Sequence, residues 1–301
     1  MKIILQRISF VSFWIGLMAL CLWVYKPALD GEFILDAHYI VDQNPLVKQS
    51  LSLKEIFTHD FFNAYKASFY RPLQYYRPLV TLSLGLNYHW LGPQPIWFRL
   101  VNIYIHILNS FFVFVLLQLV FKKKTLSLLS AFIFCFFPIH EWVVNYVVGR
   151  TDLLQAFFSL ISLISLVLYF QKKRIPFYVL GLIAFIGALL SREASIVLPA
   201  FILLVGLFVS DSKKRVLSVF CSFCVVGVIY YFIRLVTFPV VSNESLVQFS
   251  MQSVLDTSLL ALDYLLRFIY PWAVSYRWPS ELKLIVYVGS YLSLIVFCCR
   301  M

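Results

Sequence analysis

Charge is what this chain has least of. Asp, Glu, Lys and Arg make up 13% of its 301 residues, about half the share found in a soluble globular domain. That scarcity excludes an ordinary solvated surface. Hydrophobic residues are 61% of the chain and the mean hydropathy is +0.86. One soluble core of this size cannot hide so much apolar area, whereas a bilayer can surround it. Glycine is sparse as well, with ten residues and no Gly-rich phosphate cradle, which argues against a nucleotide-binding loop. Neither an internal repeat nor a low-complexity tract is present. The six cysteines make no redox framework. Cys21, Cys135, Cys221 and Cys224 lie inside apolar runs, and Cys298-Cys299 close the last one. The Cys-x-x-Cys spacing at 221–224, flanked by Phe220, Phe223 and Val225, reads as small core residues and not as reactive thiols.

What is present is a series of long apolar runs. A membrane span needs about 20 predominantly apolar residues. Spans are expected near 8–25, 97–121, 125–143, 151–170, 176–191, 194–210, 216–236 and 282–299, with a shorter one near 256–271. The expected fold class is therefore all-α, a polytopic membrane helix bundle of about eight to ten spans, with residues 1–301 forming a single membrane domain. The first run follows Lys2 and Arg7 but is long, carries Trp14 and Trp23, and lacks a small-residue cleavage site. It is expected to remain as an uncleaved first helix.

Orientation follows from the cations. Lys122-Lys123-Lys124, Lys172-Lys173-Arg174 and Lys213-Lys214-Arg215 close alternate loops, so all three share one face with Lys2 and Arg7. That face reads as cytoplasmic. The net charge of +11 is then a matter of membrane anchoring, with lipids as its partner and no nucleic acid. The hydrophilic stretch 26–95 becomes an external loop, in which Phe57, Phe61, Phe62, Tyr65 and Phe69 predict amphipathic helices lying in the interface. A second external stretch near 237–255 carries Asn243-Glu244-Ser245, a common glycosylation triplet.

Ionisable groups at membrane depth are costly and therefore informative. Asp36 and Arg77 lie in the first external loop. His140, Glu141, Asn145, Arg150 and Asp152 lie between the third and fourth spans, and Arg192 and Glu193 between the fifth and sixth. Every one of these counts to the external face. Asn102, His106 and Asn109 form a polar stripe on one helix face, fitted either to a site or to interhelical hydrogen bonds. Glu141, Asn145 and Asp152 share a face if their helix continues. Mutual ion pairs, Arg150 with Asp152 and Arg192 with Glu193, are the structural alternative to a site. Asp36 has no lysine or arginine within nine positions. It suits a general base, or it is a solvated loop aspartate.

The order of these motifs resembles a known family. Asp36 follows the first span, then come Tyr76-Arg77-Pro78-Leu79, Asn102-x-x-x-His106, Pro138-Ile139-His140, Gly149-Arg150-Thr151-Asp152, Ser191-Arg192-Glu193 and Leu198-Pro199. Over roughly 10–280 the chain is similar to the transmembrane-and-tetratricopeptide O-mannosyltransferases and their bacterial relatives, members of the glycosyltransferase C superfamily. Several positions depart from that pattern. Ala37 stands where a second acid is usual, Phe137 replaces a histidine, and Trp142 replaces a glutamate with Glu141 one place early. Arg192 replaces a lysine, and this sequence has no tetratricopeptide repeats.

The resemblance implies an inverting glycosyltransferase that moves a sugar from a polyprenyl-phosphate donor to a hydroxyl of a protein or glycan acceptor at the extracytoplasmic face. Asp36 would be the general base. Arg77, Arg150 and Arg192 would hold the donor phosphate, supported by Asn102, His106, His140, Glu141, Asp152 and Glu193. No cofactor is implied and a divalent metal is left undefined. The membrane would be the bacterial inner membrane, or the endoplasmic reticulum in a eukaryote. A lipid-linked sugar transporter or flippase, or a non-catalytic membrane scaffold, are the alternatives. Transporters more often gather charge near the midplane.

The topology is directly testable. Cysteines introduced at 123, 173 and 213 are expected to react with impermeant thiol reagents from the cytoplasmic side, and one at 42 from the other side. Labelling of 42 and 123 from the same side would remove the basis for an external site.

Overall fold

The computed structural model describes residues 2–49, 51–62 and 75–237, with side chains from residue 11 onward. The described helices belong to one unit, Met1–Val240. The single domain expected over 1–301 extends beyond the described residues. So do the spans near 256–271 and 282–299, the glycosylation triplet, Cys298, Cys299, Tyr65 and Phe69.

The architecture is an all-α polytopic bundle, and no strand occurs among the described residues. Its helices are α1 (Lys2–Leu29), α2 (Pro45–Lys48), α3 (Leu53–Thr58), α4 (Pro78–Leu91), α5 (Pro95–Phe121) and α6 (Lys124–Phe136). They continue as α7 (Glu141–Asn145), α8 (Arg150–Lys172), α9 (Ile175–Ser191), α10 (Leu198–Val209) and α11 (Lys213–Thr237). Among the described residues four helices are long and apolar enough to cross a membrane, or five if the bent pair Lys124–Phe136 and Pro138–Asn145 is one span. Ile175–Ser191 and Glu193–Val209 are apolar but shorter. Seven of the expected spans thus fall on described helices.

The three basic turns lie together. Gln171 near the end of α8 donates Nε2–H to the Leu119 carbonyl near the end of α5, and Gly206 of α10 approaches both Val216 of α11 and Phe170 of α8. The turns are tight because Lys122 and Lys173 cap α5 and α8 in the left-handed region, at φ 56° and 57°. Their amides return to the Gln118 and Tyr169 carbonyls. A cation at a helix C-terminus also faces the negative end of the helix dipole.

At the opposite end the first loop is a packed layer. Asn44 and Ser52 cap α2 and α3 by accepting the amides of Leu46 and Glu55. A single π-type turn, His38–Asp42, buries Ile40 and Val41. These residues, with Ala37, Val47 and Phe61, pack on Val80 and Leu84 of α4, Phe98 of α5, and Val147 and Val148. Phe61 is therefore an interior residue of this layer and not part of an interfacial face. The helix α4 runs over the helix ends at this side. Arg77 at its start meets Glu193, and Ser83 and Asn87 farther on meet Arg150.

The chain from 124 to 172 differs from the expected pattern. The span foreseen at 125–143 bends by 45° at its break, where Pro138 has no amide to donate. The helix carrying Glu141 and Asn145 does not continue to Asp152. It ends at Asn145, makes one 3-10 turn over Val147–Gly149, and restarts as α8. Gly149 allows this, because a Cβ there would sit 2.1 Å from the Val143 carbonyl oxygen.

Gly149→Ala is accordingly expected to lower stability by about 1–3 kcal/mol, the usual cost of overpacking against immobile atoms. Gly16→Ala, where a Cβ would meet nothing within 4 Å, should be neutral or slightly stabilising. Thermal unfolding in one detergent compares the two, and equal melting temperatures would sink the claim that Val143 and Gly149 must touch.

Candidate active site

The site is framed from α5. Arg99, Asn102, His106 and Asn109 recur every three or four residues, so they share one face, and all four are buried. Each answers backbone carbonyls of the broken segment opposite. Asn102 Nδ2 donates to Tyr146 O at 3.0 Å and, less closely, to Val144 O and Val147 O. His106 Nε2 donates to Cys135 O at 2.9 Å, and Asn109 Nδ2 to Leu153 O at 3.0 Å. In a continuous helix the carbonyls of Val144, Tyr146 and Val147 would take amides four residues on. Here those of Tyr146 and Val147 take amides only three residues on, from Gly149 and Arg150, and Asn102 adds a side-chain donor to each.

Arg150 is the largest of the side chains fully withdrawn from solvent. Its Nε donates to Asn102 Oδ1 at 2.8 Å, and its Nη2 to Asn87 Oδ1 at 2.9 Å and Phe98 O at 2.7 Å. Its Nη1 approaches Ser83 at 3.4 Å. The guanidinium also faces the Phe98 ring at 5.8 Å. Among the described residues no carboxylate takes part, and Asp152 pairs with Arg192 instead of Arg150.

Asp36 ends the short turn after α1. Leu35 before it is held at φ 51°, a left-handed conformation that costs a residue with a Cβ about 1–2 kcal/mol. The Asp36 amide donates to the Tyr146 hydroxyl oxygen at 3.2 Å. Burial, and then the Asp36 carboxylate beside it, push the Tyr146 phenol up to about 12, so the ring keeps its proton at neutral pH. Five residues back, Arg99 donates to the carbonyls of Gly31 and Glu32, and its Nε to Asn145 O at 3.2 Å.

Tyr146 also lines an open cleft of about 140 Å³, with Trp142, Gly149, Thr151, Asp152, Arg77 and Arg192. Two ion pairs guard it. Arg77 donates Nε and Nη2 to Glu193 Oε2, both at 3.3 Å, while its guanidinium rests on the Tyr75 ring at 4.4 Å. Arg234 approaches the other Glu193 oxygen at 4.0 Å. Arg192 pairs with Asp152. The expected Arg192–Glu193 pair is thus exchanged for two long-range ones, because Arg192 is extended at the end of α9 and successive side chains of an extended backbone point to opposite sides. Trp142, 59% exposed, packs against Tyr146 with ring centroids 5.2 Å apart and the planes tilted by 31°.

The structure therefore brings together Arg77, Arg192, Asp152 and Glu193 at the cleft, with Asp36 behind Tyr146. It keeps Arg150, Asn102 and His106 in the frame. His140 hydrogen-bonds Phe134 O through Nδ1 at 2.9 Å and lies 5.3 Å from the His106 ring, in the α5–α6 wall. Glu141 is exposed at the start of α7. Two residues escaped sequence reasoning. Arg99 was visible as the first member of the α5 stripe. Tyr146, one of 18 tyrosines, carried no signal. Among the described residues no three His, Cys, Asp or Glu side chains converge to hold a metal.

A polytopic helical membrane protein with an acid–arginine cleft at one end is what these features define. No family model matches the chain, and no solved structure matches it significantly. Among curated proteins the chain is similar to the protein O-mannosyl-transferases. It is 31% identical over 215 residues to human protein O-mannosyl-transferase TMTC1, covering 66% of this chain and 24% of that protein. It is 30% identical over 177 residues to human TMTC4, with 54% and 24% covered. It is 31% identical over 155 residues to mouse TMTC3, with 52% and 16% covered. The resemblance carried by the motifs is borne out, and the chain spans about a quarter or less of the length of these relatives.

The two ion pairs differ in exposure, 14% and 19% for Arg77 and Glu193 against 36% and 40% for Arg192 and Asp152. Double-mutant cycles on thermal stability are expected to give a coupling of about 1–3 kcal/mol for the first and under about 1 kcal/mol for the second. The reverse order would mean the cleft is organised around Arg192 instead.

Proposed function

We propose that the chain is the membrane-embedded transferase unit of a protein O-mannosyl-transferase-like enzyme. It moves a sugar, with inversion, from a polyprenyl-phosphate donor to an acceptor hydroxyl at the extracytoplasmic face. The acceptor belongs to a protein or glycan. The observation that carries this is the double role of Tyr146, which lines the cationic cleft and holds the Asp36 backbone. A base and a site for a departing anion are thereby adjacent. The basic turns at the other end of the bundle support the choice of face.

In this mechanism the acceptor oxygen attacks the anomeric carbon while Asp36 takes its proton, and the bond to the lipid phosphate breaks with its electrons on the phosphate oxygen. Arg192 is the first ligand for that charge, because its pair with Asp152 is more open to exchange than Arg77 with Glu193. Arg77 is the second. Arg150, buried among neutral acceptors, serves the frame and not the phosphate. One observation favours the non-catalytic scaffold: both cleft arginines already face carboxylates.

Purified chain supplied with a polyprenyl-phosphate hexose and an acceptor peptide distinguishes these. Asp36→Asn is expected to lower the transfer rate about 10²–10⁴-fold, the usual loss of a general base, with donor binding intact. Asp42→Asn, whose carboxylate is half-exposed beside Lys48, should stay within about twofold. Transfer by Asp36→Asn at the wild-type rate would remove the base from this position, and a wild type that transfers nothing would favour the scaffold.

A further inference from the structure

We propose that Arg99 and Tyr146 are positioning residues that clamp the segment Gly31–Asp36 at its two ends and so aim the Asp36 carboxylate. The proposal rests on the functional reading above and adds to it how the base is held.

The segment has little structure of its own. Residues 31–34 lie outside any helix, Glu32, Ile34 and Leu35 are exposed, and Leu35 sits in a left-handed conformation that a leucine does not choose unaided. Something outside the segment must hold it. At its start the Arg99 guanidinium takes two successive carbonyls, of Gly31 and Glu32, and a Cβ on Gly31 would lie 3.1 Å from Arg99 Nη2. At its end the Tyr146 hydroxyl takes the Asp36 amide, the N–H of the peptide that follows the strained residue.

Both clamps are anchored on the same two residues of the helix break. Arg99 Nε binds the Asn145 carbonyl, and Asn102, itself held by Arg150, binds the Tyr146 carbonyl. The buried Arg150–Asn102 pair thus reaches Asp36 through one tyrosine, with no contact of its own to the cleft. In the tight turn that replaces a continuous helix, the Tyr146 carbonyl takes the Gly149 amide and accepts Asn102 as a second donor. A misplacement of about 1 Å in a reacting group can cost about a hundredfold in rate, so a clamp of this kind is visible in turnover.

The test uses the full chain in nanodiscs and two readouts. Tyr146→Phe keeps the ring against Trp142 and removes only the hydroxyl. Arg99→Lys keeps a charge but cannot span two carbonyls and Asn145 together. In each, hydrogen exchange of a peptide covering residues 31–40 should quicken about tenfold or more. The kcat for sugar transfer should fall about tenfold or more while the donor KM stays within about twofold. If Tyr146→Phe does not accumulate, Arg99→Lys decides by the same measures. Unchanged exchange in folded variants overturns the clamp. Faster exchange with unchanged kcat, or a change confined to KM, overturns its role in aiming the base. A wild-type chain that transfers no sugar overturns the functional reading instead, and exchange still reports whether the clamp exists.

Discussion

The hydrogen bond of 2.8 Å from Arg150 Nε to Asn102 Oδ1 joins α5 to α8 at the point where the chain between them stops being helical. In an apolar bundle every carbonyl released by such a break must find a donor. Asn102 donates toward three of them, two of which also take backbone amides, and its own oxygen is held by Arg150. The remaining donors of Arg150 reach Ser83 and Asn87 on α4 and the Phe98 carbonyl on α5, which seats the layer formed by the first loop on the bundle. Removing either partner would leave a charge or an amide uncompensated where water does not reach. The loss would spread to the layer, to the cleft and to the turn bearing Asp36.

The acids and arginines of the cleft follow a different logic. They are paired, partly exposed, and drawn from α4, α8 and the reversal between α9 and α10. The more exposed pair contributes little to stability, yet both pairs keep their cations poised at this end of the bundle. An incoming phosphate would exchange one carboxylate partner for another anion, so the arginines need not be desolvated afresh. Trp142 gives the rim an exposed aromatic face.

Much of this was legible from residue order alone, and what was not has identifiable causes. Apolar run length placed α1, α5, α8 and α11, because lipid leaves little freedom in how a span is written. Counting turns from the basic triplets gathered Arg77, Asp152, Arg192 and Glu193 at one end, and they do meet there. The pairing among them was not legible, since Arg77 and Glu193 are 116 residues apart and neighbours in sequence suggested other partners. The burial of Arg150 was not legible either, since residue order places a charge at this end of the bundle but does not show the neutral acceptors that enclose it. A gap between the third and fourth spans was legible, but the bend at Pro138 and the tight turn at Gly149 were not, because Val143 and the α5 stripe impose them only in three dimensions.

The central claim is that this cleft breaks the bond between a sugar and a lipid phosphate and does not merely move the intact lipid. The most direct measurement follows a polyprenyl-phosphate hexose of known anomeric configuration in proteoliposomes with an acceptor peptide inside or outside. One polyprenyl phosphate should be released per sugar transferred, with a product of inverted configuration by nuclear magnetic resonance. Passage of the intact lipid-linked sugar between leaflets, without phosphate release or a glycosylated product, would contradict it.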